Sequence, residues 1–151
     1  MDCLNVVVRE SDGFSQLKGF CFFANRTFYV VLNSFLSDEE KRIAAAHELA
    51  HIVLHKQALR MAPMKDSQLY DMTSRAEYEA NLFAADLLIA DQDVDMLSKD
   101  EDMDYFNMCR ALNVTPDLMS FKLFSLVHRG FAYNMPMGIK SRFLAKVLPT
   151  L

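Results

Sequence analysis

Tryptophan is absent from this chain of 151 residues, and glycine and proline are scarce at four each. That scarcity excludes a collagen-like or loop-dominated low-complexity chain. The three cysteines, Cys3, Cys21 and Cys109, are odd in number, widely separated and without a CxxC pair. They argue against a disulfide framework and for thiols kept in a reducing compartment. No segment approaches the roughly 18 uninterrupted apolar residues of a membrane-spanning helix, so no membrane partner is expected. The opening MDCLNVVVRE lacks a basic segment, and its apolar run is too short for a signal peptide. The expectation is a cytoplasmic protein.

What is present is ordinary for a globular chain: 52% hydrophobic and 24% charged residues. The length suits one domain over residues 1–151, and neither a repeat nor a linker divides it. Net charge is −4 but uneven. From Tyr105 onward six basic residues face one acid, Asp117, giving +5, which leaves −9 on residues 1–104. Such asymmetry can mark a face for an acidic or protein partner, although a solvated helical surface explains it as simply.

Along the chain, GFCFFANRTFYVVLN at 19–33 is rich in aromatic and β-branched residues and breaks at Ala24-Asn25-Arg26. It predicts two strands joined by a short turn, the second over 28–32. Residues 4–8 suit either a strand or a helix. Ser37 followed by Glu40 fits a capping box that starts a helix running to about residue 55. A loop with room for a broken turn is expected over 57–72, a second helix over 74–90, and an acidic helix start and loop over 91–104. A helix-turn-helix-like pair follows at about 104–128, its second member opened by Thr115-Pro116. A short helix is possible at 139–147. The class is α+β, a small antiparallel sheet or hairpin followed by a helical body.

The chemistry concentrates in AAAHELAHIVLH, residues 44–55. At 100° per residue, with Ile43 at 0°, Ile43, Ala46, Leu49, Ala50, Val53 and Leu54 form an apolar face. His47 at about 40° and His51 at about 80° point the same way from its shoulder. Two imidazoles one turn apart suit a single metal ion. Glu48, at about 140°, stands too far round to ligate but can reach a water beside the ion. His55 lies about 12 Å along the axis from His47 and cannot share that ion, so a helix-end histidine favoured by the dipole is expected.

A metzincin-type third ligand would need Gly at 54 and His at 57, where this chain has Leu54 and Gln57. The ligand must therefore come from another helix, and the second helix offers Glu77 and Glu79. Glu77 lies nearer the face of Ala80, Phe83, Ala84, Leu87 and Leu88, with Asn81 one turn above it. Geometry favours Glu77. Glu79 stays open, as does a capping role for Glu77 in Ser74-x-x-Glu77.

HELAH followed by EYEANLFAADLL resembles the ImmA/IrrE family of zinc metallopeptidases, over roughly residues 19–128 and including ALNVTPDLMSFKLFSL. The resemblance implies a zincin-like body. It also implies Zn2+ held by His47, His51 and Glu77, a gluzincin-like HExxH-plus-Glu set, and Glu48 as catalytic acid/base. It further implies an endopeptidase of bacteria or mobile elements that cleaves or inactivates a helix-turn-helix transcriptional repressor. Where the family often has Met-Pro after its Leu-Leu, this chain reads LLIADQDV, so the rim beyond the second helix can differ. The alternative is a non-proteolytic regulatory module that binds a repressor while zinc serves stability.

Weaker signals are absorbed more simply. Asp91-Gln92-Asp93-Val94-Asp95 imitates a calcium loop but has Met96 where that loop needs glycine. DNA binding by 105–128 is not expected, since few basic residues line the last helix and Phe106, Leu112, Leu118, Phe121, Leu123 and Phe124 suit packing. His128, Tyr70, Tyr78 and Tyr133 are candidates to steady an oxyanion. The ten methionines are expected to fill the core.

Overall fold

A computed structural model describes residues 4–61 and 75–133 of the chain. Cys3, Tyr70, Ser74 with its capping box, most of the expected 57–72 loop and the helix considered at 139–147 lie outside the described residues. Two compact units divide the chain, Met1–Asp71 and Met72–Leu151.

The first unit opens with three strands, β1 (Val6–Ser11), β2 (Gly19–Ala24) and β3 (Thr27–Asn33), in the order β1-β3-β2. β2 and β3 form the expected antiparallel hairpin, with Ala24 opposite Thr27. Its two-residue turn places both Asn25 and Arg26 at positive φ, 49° and 61°, as a turn of matching twist requires. Gly19 sits where a Cβ would come within 2.9 Å of the Val31 carbonyl oxygen, so only glycine fits at this register. The ambiguous first segment resolves as a strand, in keeping with its Val6-Val7-Val8 run. It pairs parallel to β3, Val6 opposite Phe28, which makes the sheet mixed rather than wholly antiparallel.

β3 alternates strictly. Phe28, Val30 and Leu32 are buried, and the residues between them are half-buried. The buried set joins Cys21 on β2 and Ala44 and Ile52 on α1 (Asp38–Leu54) in one core. Helix α1 starts as predicted. Ser37 Oγ accepts from the Glu40 backbone N–H, and Glu40 Oε2 accepts from the Ser37 N–H, both at 3.2 Å. That backbone bond holds the Glu40 carboxyl below its ordinary range.

The face that α1 presents to the sheet differs from the expected one. Ala44, Ala45 and Ile52 pack there, whereas Val53 and Leu54 remain 42% and 47% exposed. Glu48 and His51 are themselves buried, so polarity along the helix did not mark its solvent side. A second correction follows at its end, where loop was expected. Lys56–Met61 forms a short helix, α2, and Arg60 lies over the Phe23 ring at 5.1 Å while Lys56 lies over Phe28 at 5.9 Å.

The second unit is helical: α3 (Arg75–Leu88), α4 (Asp91–Ser98), α5 (Tyr105–Leu112) and α6 (Pro116–His128). Helix α3 packs against α6. Its buried residues Ala80, Ala84 and Ala85 have small side chains, which let a neighbouring backbone lie close. α4 occupies the acidic stretch and excludes a calcium loop there. The joint between α5 and α6 closes on Asn113 in the left-handed conformation, φ 54°, and on Thr115, whose hydroxyl caps Leu118 N–H at 3.3 Å. Tyr105 locks the pair. The hydroxyl of this half-buried side chain donates to the Pro116 carbonyl and lies 2.8 Å from Ser120 Oγ, and desolvation pushes its pKa up to about 12.

Not every apolar side chain is committed to packing. Phe106 is exposed, its ring set edge-on to Tyr105, and Met61 and Met96 are exposed while Met108 and Met119 are buried. Among the described residues, no helix is long and apolar enough to cross a membrane.

Candidate metal centre

Helix α1 projects two imidazoles and a carboxylate, His47, His51 and Glu48, from two turns. The Nε2 atoms of His47 and His51 face each other at 3.1 Å, with the rings nearly perpendicular and their centroids 4.8 Å apart. On a tetrahedral zinc at about 2.0–2.1 Å per bond, two imidazole nitrogens would stand roughly 3.3–3.4 Å apart. The pair is thus preset to within a few tenths of an ångström of the separation that one ion requires. His51 is buried and His47 half-buried. A nitrogen lone pair taken out of water favours a cation or a proton between the rings.

Glu48 follows His47 directly and is 5% exposed. A carboxylate this deep has little water to stabilise its charge. Its position on α1 lies between the histidine side and the side carrying Ile52, as its place on the helix wheel predicts.

In the second unit, Glu77 stands in the first turn of α3 and is 1% exposed. Glu79, the other candidate, is part-exposed and pairs with Arg75 Nε at 2.8 Å. The two candidates thus differ in environment: one carboxylate is buried and the other makes a surface i,i+4 ion pair. Two imidazoles and one buried carboxylate, His47, His51 and Glu77, are a donor set that could hold a metal ion.

His55 was read as a helix-end histidine and nothing more. It is indeed the C-cap of α1, its backbone N–H donating to the His51 carbonyl at 2.9 Å. Its ring does something the dipole account missed: Nδ1 lies 3.1 Å from Nδ1 of His51. The i+4 spacing from His51 was the available signal.

The remaining candidates scatter. Tyr78 is half-buried on α3, edge-on to Phe121 and Phe124, and burial raises its pKa. His128 stacks on Phe124 at the exposed end of α6, and Tyr133 stacks on Phe131. The strand expected over 28–32 is β3. It lies at the centre of the sheet with a neighbour on both sides and has no edge to offer.

Comparison with known proteins agrees with the geometry. Residues 1–124 match the model of the Peptidase_M78 family, described as the IrrE N-terminal-like domain. The chain is also similar to "Uncharacterized immunity region protein 2" of Bacillus phage phi105, 37% identical over 76 residues. That alignment covers 50% of this chain and 47% of the relative, so only about half of the relative's length is spanned. No solved structure matches the chain.

Proposed function

The chain belongs to the Peptidase_M78 family, and we propose that it is a zinc-dependent endopeptidase that cuts a helix-turn-helix transcriptional repressor in the bacterial cytoplasm. The observation that carries the proposal is the facing pair of Nε2 atoms on His47 and His51, 3.1 Å apart, beside the buried carboxylate of Glu48. His47, His51 and Glu77 would hold the ion. When bound, zinc would polarise the scissile carbonyl and acidify a water as a Lewis acid. Glu48 would take a proton from the attacking water and return it to the leaving amine.

A repressor as substrate is supported by the likeness to a phage immunity-region protein. It is supported too by helix α6, which is poorly suited to binding nucleic acid itself. The one lysine within α6, Lys122, is 1% exposed and paired with Asp86 and Asp91, and residues 118–123 are all buried. The second member of the helix-turn-helix-like pair is a core helix with no basic face for a DNA groove.

The test is Glu48→Gln, which keeps the size of the side chain and removes the base. The variant and the parent are expressed with a helix-turn-helix repressor encoded beside the gene, at equal zinc loading. Repressor is followed on a gel and repression by a reporter. The variant should keep its fold and zinc and lose cleavage by about 10²–10⁴-fold. Full relief of repression by the variant, with no cut fragment from either protein, would establish the non-proteolytic binding module instead.

A further inference from the structure

We propose that His55 is a positioning residue for the metal centre: it accepts a hydrogen bond from His51 Nδ1 and so fixes the ring that presents Nε2 to the ion. The inference rests on the metal reading above and extends it by one shell.

The geometry is a chain of three rings on one helix. His51 Nδ1 lies 3.1 Å from His55 Nδ1, and on its opposite side His51 Nε2 lies 3.1 Å from His47 Nε2. The His51 and His55 rings are tilted by 44° with centroids 5.2 Å apart, so they meet through nitrogen atoms rather than by face-to-face stacking. His51 is 3% exposed and cannot readily exchange this partner for water.

Proton bookkeeping then fixes the direction. A neutral imidazole that gives its Nε2 lone pair to a cation must carry its proton on Nδ1. His51 is therefore the donor towards His55. His55 must accept through Nδ1 and keep its own proton on Nε2. The backbone helps to set the arrangement. His55 leaves helical geometry at φ −119°, ψ 28°, yet its N–H still bonds the His51 carbonyl at 2.9 Å, which ties the accepting ring to the residue it serves. Partners of this kind orient a metal-bound histidine and raise its basicity, and losing one typically costs 10–100-fold in metal affinity.

Two substitutions separate positioning from bulk packing. His55→Ala removes the acceptor. His55→Asn returns an oxygen to the place of Nδ1, one bond beyond Cγ. Zinc affinity is measured by competition with a chelator, with thermal unfolding of the metal-free proteins as the control for folding. His55→Ala should bind zinc about 10–100-fold more weakly than the parent, and His55→Asn should recover most of that loss. Nitrogen-15 spectra of the histidine rings in the zinc-loaded parent should show His51 protonated at Nδ1 and His55 protonated at Nε2. Unchanged affinity in His55→Ala, an Asn variant no better than Ala, or a proton on His55 Nδ1 would overturn the proposal while leaving the metal centre standing. A parent chain that takes up no zinc would end the metal reading and this inference together.

Discussion

Glu77 and Glu79 stand two residues apart in the first turns of α3 and occupy opposite environments. Glu77 is 1% exposed, whereas Glu79 reaches back to Arg75 at 2.8 Å on the surface. The spacing explains the split: two residues along a helix turn the side chain by about 200°. Exposed ion pairs of this kind contribute about 0.3–0.5 kcal/mol, which would not justify burying Glu79 as well.

Purified protein should accordingly hold about one zinc, and Glu77→Gln should weaken that binding severely. The amide keeps the volume but loses the charge that completes the ligand set. Glu79→Gln should leave zinc content unchanged and cost less than about 0.5 kcal/mol of stability. Metal analysis of both variants checks the assignment, and the reverse pattern would exchange the two roles.

How much of this was legible in the sequence depended on whether a local rule was enough. The capping box of Ser37 and Glu40, the Thr115-Pro116 start of α6 and the Asn25-Arg26 turn each follow from a few residues, and each was readable. So was the His47–His51 pair, because a four-residue spacing fixes a shared face whatever the tertiary structure does. The orientation of α1 was not readable. With Ala44, Ala45, Ala46, Ala50, Ile52, Val53 and Leu54 spread around the helix, only the sheet decides which side is buried. The place of β3 at the centre, and the parallel pairing of β1, depend on long-range pairing that no window of sequence contains. Asp91 opens α4, as an acidic helix start should, but no local rule shows that its carboxylate also anchors an ion-pair cluster closed by Lys122 and Arg129, 31 and 38 positions away.

That cluster yields a second prediction. Lys122 is 1% exposed, and its ammonium meets Asp86 at 2.9 Å and Asp91 at 2.5 Å. Both carboxylates keep about two-fifths of their side-chain surface, and each has a further partner: Ser125 Oγ donates to Asp86 at 2.9 Å, and Arg129 grips Asp91 at 2.7 and 2.9 Å. Removing the two acids leaves a buried, uncompensated cation, whereas removing the lysine leaves two solvated, partnered anions. The double variant Asp86→Ala, Asp91→Ala should therefore lose about 3–5 kcal/mol, and Lys122→Met should change stability by only about 1 kcal/mol in either direction. Urea unfolding of the three proteins decides it. A loss in Lys122→Met as large as in the double variant would show that the cluster is bound by more than the charge asymmetry described.

The same cluster gives the chain an acid-sensitive element whose sign can be worked out. The hydrogen bonds from Arg129, and then those from Lys122, hold the Asp91 carboxyl well below the usual carboxylate range. A carboxyl whose folded pKa lies below its unfolded value, near 3.9, stabilises the fold fully above that unfolded value. As pH falls below about 4 the unfolded chain takes up the proton first, so the contribution shrinks and is gone once the folded carboxyl protonates as well. Asp91→Asn removes the titration while keeping the side-chain shape. The stability gap between parent and Asp91→Asn should then stay level from about pH 8 to pH 5 and narrow on further acidification. The slope should remain below about 1.4 kcal/mol per pH unit, because Asp91 is part-exposed and solvent screens the pair. Added salt should narrow the gap at neutral pH for the same reason. Unfolding curves of both proteins at several pH values measure it. A gap that stays level to about pH 3 would mean that Asp91 contributes through shape and neutral hydrogen bonding rather than through its charge.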